Sequence, residues 1–192
     1  MHHSPCPSFA FCSAFPSSIF HLPFSIPPFL LGPPPPACDA TRVRHVLFLC
    51  TGNYYRSRFA EACFNHLARA NDRPWRAFSR GLAVHLVDGD LSPQTRQGLL
   101  ERGIPLHHTA PTRQDLTLAD LQAANHIIAL KEVEHRPLLA ARFPEWLDRV
   151  EFWHVDDLDC ATPAATLPAI ESLVEDLAQR LLLETPNKAA SV

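Results

Sequence analysis

The segment HVLFLCTGNYYRSRFAEACFNHLA, residues 45–68, joins an apolar run to an amphipathic stretch through a short polar loop. The run that ends at Leu49 has the composition of a buried strand. From Ala60 onward, apolar residues recur at positions i, i+3, i+4 and i+7, which is helical spacing. We therefore predict a strand, a loop and a helix in direct succession, with Cys50 where the strand gives way to the loop.

The loop from Cys50 to Arg56 combines groups that suit an anion. Backbone N–H groups at a helix start can converge on a negative ligand, and the partial positive charge there favours the thiolate of a nearby cysteine. The guanidinium of Arg56 offers a planar fork for two phosphate oxygens. Gly52 permits a left-handed turn or a close backbone approach, Asn53 tolerates the left-handed region, and Ser57 can donate to the thiolate. A lone cysteine at a strand end is otherwise a small buried hydrophobe.

Beyond this segment, short apolar runs alternate with helical patterns. The strand candidates are residues 43–49, 77–79, 126–130 and 150–155. Ser92 can cap a helix that Gly103 follows, Thr117 can cap a second, and an apolar stripe from Ile170 to Leu181 marks the last. The alternation predicts an α/β fold with a parallel sheet and helices on both faces. Ligands of such sheets bind at the carboxyl ends of the strands, where Cys50 is expected.

Residues 1–41 differ in composition from the rest of the chain. They hold ten of the nineteen prolines and a single charged side chain, Asp39. Because proline removes backbone donors and blocks helices, we expect a disordered or extended tail, or a mis-assigned start site. A targeting signal is less favoured, since the segment lacks a basic start and an unbroken apolar stretch. We place the folded domain at residues 42–192.

The formal net charge is −3, with 17 Lys and Arg against 20 Asp and Glu and no basic block. We therefore expect neither nucleic acid nor a membrane as a partner. Three of the six cysteines lie before residue 42 and none forms a C-x-x-C pair. This distribution favours a reducing cytoplasm over a disulfide framework or a zinc site. No metal or other cofactor is predicted.

The stretch VLFLCTGNYYRSRFAEA resembles the phosphate-binding loop and first helix of low-molecular-weight protein tyrosine phosphatases, whose pattern is C-x-G-N-x-x-R-S. Cys50, Gly52, Asn53, Arg56 and Ser57 match that pattern. The stretches FSRGL and ANHIIALKEVEHRPLL resemble later parts of the family, so the likeness covers roughly residues 43–183. It implies a four-stranded parallel sheet flanked by helices, and hydrolysis of a phosphomonoester through a cysteinyl phosphate.

The family's proton donor is an aspartate of an Asp-Pro pair after the fourth strand, where this chain has EFWHVDDLDC, residues 151–160. The resemblance favours Asp157 as the acid, with Leu158 in place of the proline, and leaves Asp156 as the rival. The implied catalytic residues are Cys50, Arg56 and Asp157. The implied phosphate-binding residues are Thr51, Gly52, Asn53, Tyr54, Tyr55, Arg56 and Ser57.

The chain departs from the family pattern at several positions. Tyr55 stands where many members carry a second cysteine, and Lys131 stands where an acidic residue is common. The family's tyrosines after the acid are missing. Tyr54, Tyr55, Trp153 and His154 could form an aromatic rim for an aryl phosphate. Alternatively, Trp153 and one tyrosine pack in the core.

We predict a phosphatase that acts on phosphotyrosine or another aryl phosphate, carried by a phosphorylated protein or a small phosphomonoester. Two alternatives remain open. A thiol-dependent arsenate reductase would need Cys63 or Cys160 for the redox step. A non-catalytic phosphate-binding module would be consistent with the altered acid segment.

Overall fold

A computed structural model describes residues 43–184. The tail predicted for residues 1–41 lies outside these residues. The described strands are β1 (Arg44–Cys50), β2 (Trp75–Gly81), β3 (His126–Ala129) and β4 (Val150–Phe152). The described α-helices are α1 (Arg56–Ala70), α2 (Pro93–Glu101), α3 (Leu118–Ala123), α4 (Glu132–Arg142) and α5 (Pro163–Glu184). Short 3-10 helices lie at Val84–Leu86, Leu106–His108 and Pro144–Arg149.

The strands form one parallel sheet in the order β2-β1-β3-β4. This confirms the predicted α/β fold. β2 pairs with one edge of β1, and β3 pairs with the opposite edge. The direction in which strands are added to the sheet therefore reverses at β1. Ligands of open α/β sheets bind at such a switch point, outside the carboxyl ends of the strands. Cys50 is the last residue of β1 and therefore lies at this place.

Helices cover both faces of the sheet, as predicted. Val46 and Phe48 pack into the core shared with α1 and α5, whereas Leu47 and Leu49 pack into the core shared with α3 and α4. All four side chains are completely buried. Full burial on both faces explains why β1 is a continuous apolar run without alternation.

The predicted helix ends are also confirmed. The side chain of Ser92 accepts a hydrogen bond from the Thr95 backbone at 2.9 Å, and Gly103 takes a left-handed φ of +64° after α2. Thr117 begins α3 with a capping box, in which its hydroxyl accepts from the Asp120 backbone and the Asp120 carboxylate accepts from the Thr117 backbone. The two caps bring α2 and α3 to defined starting points.

Candidate active site

Cys50 and Ser57 face each other across the phosphate-binding loop predicted from the sequence. The Cys50 Sγ atom lies 3.0 Å from the Ser57 Oγ atom, and both side chains are buried. Asn53 Nδ2 donates to Ser57 Oγ at 3.2 Å. Because Ser57 accepts from Asn53, its own hydroxyl proton can point at the Cys50 sulfur. The arrangement therefore stabilises negative charge on that sulfur.

Asn53 shapes the loop through its backbone and its side chain. Its φ is 50°, so Asn53 rather than Gly52 takes the left-handed conformation that the sequence allowed for either residue. Its Nδ2 also donates to Ser79 Oγ at 2.8 Å, and its Oδ1 accepts from the Gln114 backbone at 2.9 Å. Gly52 serves close packing instead, since a Cβ there would lie 2.5 Å from Val87 Cγ2.

A buried carboxylate, Glu61, is linked to the loop through Ser79, which also bonds to Asn53. Glu61 accepts hydrogen bonds from the hydroxyls of Ser79 and Thr109, each at 2.7 Å. Arg58 Nε donates to Thr109 Oγ1 at 2.6 Å and lies 3.8 Å from the Glu61 carboxylate. Burial raises the pKa of Glu61, while the two hydroxyls and Arg58 oppose that shift. Such a satisfied polar network holds the Asn53 and Ser79 side chains in one arrangement.

Arg56 is the first residue of α1, and its guanidinium is almost fully buried. Its Nη1 donates to the Val155 carbonyl at 3.0 Å and to Glu134 Oε1 at 3.3 Å. Its Nη2 donates to Glu134 Oε2 at 2.7 Å and to Asp157 Oδ2 at 2.6 Å. Burial lowers the pKa of Arg56, but the bond to Glu134 and the charges of Cys50 and Asp157 outweigh it, so the pKa is raised. The site thus contains a permanent cation.

The two candidate acids face different cations. Asp157 contacts Arg56, accepts from the Leu158 backbone at 2.8 Å through its other oxygen, and is one-third exposed. Asp156 forms an ion pair with Lys131 on the outside of the same loop. The Lys131 side chain, for which sequence reasoning offered no role, therefore braces the acid segment. Of the two carboxylates, only Asp157 touches the loop arginine.

The remaining loop residues are anchored through their backbone. The Tyr54 carbonyl accepts from the Ser92 backbone at 3.1 Å, and the Tyr55 carbonyl accepts from Thr95 Oγ1 at 3.0 Å. The Thr51 carbonyl accepts from the Ala83 backbone at 2.8 Å. Tyr55 precedes α1 without capping it by a side-chain hydrogen bond. The first N–H groups of α1 are thus free of a side-chain cap, which suits an anion at this helix start.

The prediction of an aromatic rim from Tyr54, Tyr55, Trp153 and His154 is wrong for two of these four residues. Tyr55 and Trp153 are buried in the core beside α1 and α5, because their rings fill space between the sheet and these helices. The Trp153 indole donates to Glu151 at 2.8 Å. Tyr54 is half-buried and His154 is exposed, so these two remain at the surface.

The cysteines outside the loop differ in environment. Cys63 is buried inside α1, and burial raises its pKa to about 12. Cys160 is exposed. Cys50, Cys63 and Cys160 are all free thiols. A thiol with a pKa this high is a poor nucleophile, so Cys63 is unsuited to a redox step.

Sequence reasoning missed several contacts of the site: Arg58, Glu61, Thr109 and Glu134. Of these four residues, Glu134 alone bonds to Arg56. Glu134 lies in the first turn of the helix after β3, at the carboxyl edge of the sheet. Because ligands of open α/β sheets bind at that edge, its position in the sequence could have identified it.

Every helix of residues 43–184 is too short or too polar to cross a membrane.

Comparison with known proteins agrees with this geometry. Residues 45–189 match the family model described as low molecular weight phosphotyrosine protein phosphatase. The chain is 28% identical over 106 residues to the protein-arginine-phosphatase of Bacillus subtilis (strain 168), which is 55% of this chain and 67% of that protein. It is 29% identical over 101 residues to the low molecular weight phosphotyrosine protein phosphatase of Gallus gallus, which is 52% of this chain and 62% of that protein.

A solved structure also shares the fold. The low molecular weight protein tyrosine phosphatase of T. tengcongensis superposes with a TM-score of 0.62 and 26% identity, covering 71% of this chain and 99% of that one. The family resemblance deduced from the loop is therefore confirmed. The chain belongs to the low molecular weight phosphotyrosine protein phosphatases, a family of cysteine-dependent phosphatases.

Proposed function

We propose that this protein hydrolyses phosphomonoesters through a cysteinyl phosphate on Cys50, with phosphotyrosine or another aryl phosphate as the substrate. The observation that carries the proposal is the meeting of three groups at the end of β1. Cys50 faces Ser57, and the buried Arg56 bonds to Asp157, a carboxylate that lies 101 residues later in the chain. Nucleophile, anion-binding cation and acid are the groups that this reaction needs.

In the first step, the Cys50 thiolate attacks phosphorus and the bond to the ester oxygen breaks. Arg56 and the N–H groups of the loop and of the start of α1 hold the three equatorial oxygens, on which negative charge develops. Asp157 gives its proton to the leaving oxygen. In the second step a water molecule attacks the cysteinyl phosphate, Asp157 takes its proton, and Cys50 leaves as a thiolate.

The contact between Asp157 and Arg56 also bears on the first step. With no substrate, Asp157 Oδ2 accepts from Arg56 Nη2 at 2.6 Å. A phosphate dianion that binds Arg56 competes for this donor and brings negative charge close to the carboxylate. Loss of the bond to Arg56 frees the Asp157 carboxyl to turn toward the leaving oxygen, where the first step needs its proton.

Hydrolysis of para-nitrophenyl phosphate by the full chain tests the proposal. We expect Cys50→Ser to abolish turnover and Asp157→Asn to lower kcat by roughly 100-fold or more, because general acid catalysis contributes about 10²–10⁴-fold. The matched controls are Cys160→Ser, an exposed thiol, and Asp156→Asn, the carboxylate paired with Lys131. Cys160→Ser is expected to keep kcat within about threefold, as is usual for an exposed group outside the reaction, and Asp156→Asn is expected to lower kcat far less than Asp157→Asn.

Other outcomes would identify the alternatives. A large loss in Asp156→Asn with little in Asp157→Asn would transfer the acid role to Asp156. Phosphate binding without turnover would indicate a binding module. Thioredoxin-coupled reduction of arsenate that is lost in Cys160→Ser would indicate an arsenate reductase. A fully active Cys50→Ser protein would exclude the cysteinyl phosphate.

Phosphoarginine is a second candidate substrate. The protein-arginine-phosphatase of Bacillus subtilis is among the relatives of this chain, and two carboxylates, Glu134 and Asp157, lie beside the loop arginine. Acidic groups at the site are compatible with a leaving group that becomes cationic. Paired peptides with phosphotyrosine or phosphoarginine at the same position distinguish the two, since the preferred substrate has the larger kcat/KM.

A further inference from the structure

The guanidinium of Arg56 has two edges, and they are occupied differently. The end edge, made of Nη1 and Nη2, meets both oxygens of Glu134, at 3.3 and 2.7 Å. The side edge, made of Nε and Nη2, meets Asp157 through Nη2 alone, at 2.6 Å. Nε is buried and has no hydrogen-bond partner among residues 43–184. The side edge therefore holds the unused donor.

A buried N–H without a partner is costly, so the side edge is built for an acceptor that arrives with a ligand. A phosphate accepts two parallel bonds from one edge of a guanidinium. Since Glu134 occupies the end edge, a phosphate in the loop takes the side edge, where it bonds to Nε and replaces Asp157 at Nη2. This replacement releases the Asp157 carboxyl toward the leaving oxygen.

We propose that Glu134 is the positioning residue of the site: its carboxylate holds the end edge of Arg56 so that the side edge faces the phosphate on Cys50. The inference deepens the proposed function and rests on it. Without Glu134, the Val155 carbonyl would be the remaining partner of the end edge, through Nη1 alone. One acceptor does not define the plane of a guanidinium, whereas two parallel bonds do.

Glu134 is itself held in place by α4. It lies in the first turn of this helix, where the helix dipole stabilises a carboxylate. The neighbouring His135 is fully buried, and its Nδ1 accepts from the Lys131 backbone at 3.0 Å. In the neutral imidazole the proton is then on Nε2, which faces Glu134 Oε2 at 3.6 Å. At 3.6 Å this contact is longer than a hydrogen bond, and His135 Nε2 has no hydrogen-bond partner among residues 43–184, so the carboxylate accepts its side-chain hydrogen bonds from Arg56.

The variant Glu134→Gln tests this role. Glutamine keeps the shape of the side chain, but its amide NH₂ cannot accept from a guanidinium, so one of the two parallel bonds and the charge are lost. Glu132→Gln is the matched control. It removes a carboxylate from the same turn of α4, and that carboxylate pairs with Arg136 at the surface instead of with Arg56.

The measurements are kcat and KM for para-nitrophenyl phosphate and the Kd of orthovanadate, an analogue of the five-coordinate transition state, by calorimetry on the full chain. We expect Glu134→Gln to lower kcat by about 10- to 100-fold, to change KM by less than about threefold, and to weaken orthovanadate binding by about 10-fold or more. Glu132→Gln is expected to stay within about twofold of the parent in all three. Glu134→Ala, which removes both acceptors, is expected to repeat the pattern of Glu134→Gln.

The split between kcat and KM separates positioning from a general loss of structure, which would affect the two together. Unchanged kcat and orthovanadate affinity in Glu134→Gln would overturn the inference. Tighter orthovanadate binding by Glu134→Gln would also overturn it, because Glu134 would then compete with the ligand for Arg56 instead of positioning Arg56. Orthovanadate binding needs no turnover, so Glu134 is tested even if the parent hydrolyses no aryl phosphate, a result that by itself would contradict only the proposed function.

Discussion

Asn53 combines an unfavourable backbone conformation with side-chain bonds that compensate for it. Its φ of 50° is uncommon for a residue other than glycine. Its amide bonds to Ser57, Ser79 and the Gln114 backbone, and its side chain is completely buried. Glycine would accept the backbone angle but supply none of these bonds. Asparagine at this position also donates to the Ser57 hydroxyl that faces Cys50.

Asn53→Ala is expected to lower the free energy of unfolding by about 2–4 kcal/mol. A left-handed alanine costs about 1–2 kcal/mol, and the buried partners left without a hydrogen bond account for the remainder. Urea unfolding measures the loss. Asp72→Ala is the matched control, since Asp72 has a φ of 49° but is exposed, so it reports the backbone term alone. Equal losses in the two variants would mean that the Asn53 side-chain bonds contribute nothing.

At the scale of the element, the first turn of α2 ties a helix cap to the phosphate-binding loop. The Ser92 side chain caps α2, while its backbone donates to the Tyr54 carbonyl. The Thr95 hydroxyl donates to the Tyr55 carbonyl. The cap of α3 at Thr117 is exposed and has no such contact with the loop. The two caps are alike in chemistry and differ in what lies beside them.

Ser92→Ala and Thr117→Ala are each expected to lower the free energy of unfolding by about 1 kcal/mol, the usual value of a side-chain cap. Only Ser92→Ala is expected to weaken inhibition of the phosphatase by inorganic phosphate, by about threefold or more, because a looser α2 start releases the loop carbonyls it holds. Inhibition constants with para-nitrophenyl phosphate measure the difference. Equal constants for the two variants would show that the α2 cap does not support the loop.

Helix α4 shows where periodicity fails at this scale. Apolar Val133 is largely exposed, whereas His135 is completely buried, so the pattern of the first turn is the reverse of an amphipathic helix. Pro137 lies inside the same helix. The helix was expected only from the family resemblance. Its first turn is held by groups distant in sequence, since the Glu132 backbone donates to the Trp153 carbonyl and Glu134 accepts from Arg56.

At the scale of the whole molecule, the buried His135 makes stability depend on pH. Burial, and secondarily the charge of Arg56, lower its pKa from the ordinary 6.5 to about 3. Between these two pH values the unfolded chain binds a proton that the folded chain does not. The free energy of unfolding therefore falls as the pH is lowered through this window. Above the window His135 is neutral in both states and makes no contribution to the pH dependence.

His135→Gln is expected to make this fall shallower between about pH 6.5 and 4.5, by up to about 1.4 kcal/mol per pH unit, the value for one proton. Glutamine retains an acceptor for the Lys131 backbone N–H but has no proton to gain. Urea unfolding of parent and variant across this range provides the slopes. Identical slopes would mean that the imidazole is protonated in the folded protein as well, contrary to its burial beside Arg56.

The sequence by itself determined the parts of this protein that depend on neighbouring residues. The strand, loop and helix around Cys50, the caps at Ser92 and Thr117, and the parallel sheet all follow from local patterns. The candidates for nucleophile and cation came from the same short loop.

Only the tertiary structure decided which distant groups meet that loop. Arg56 bonds to Glu134, 78 residues away, and to Asp157, 101 residues away. Asp156 and Asp157 are adjacent and chemically identical, and the resemblance favoured Asp157 without excluding Asp156. In the structure they face different cations, Arg56 for Asp157 and Lys131 for Asp156. The physical reason is that a hydrogen bond depends on distances of about 3 Å, which only the packing of β1, β3 and β4 side by side establishes.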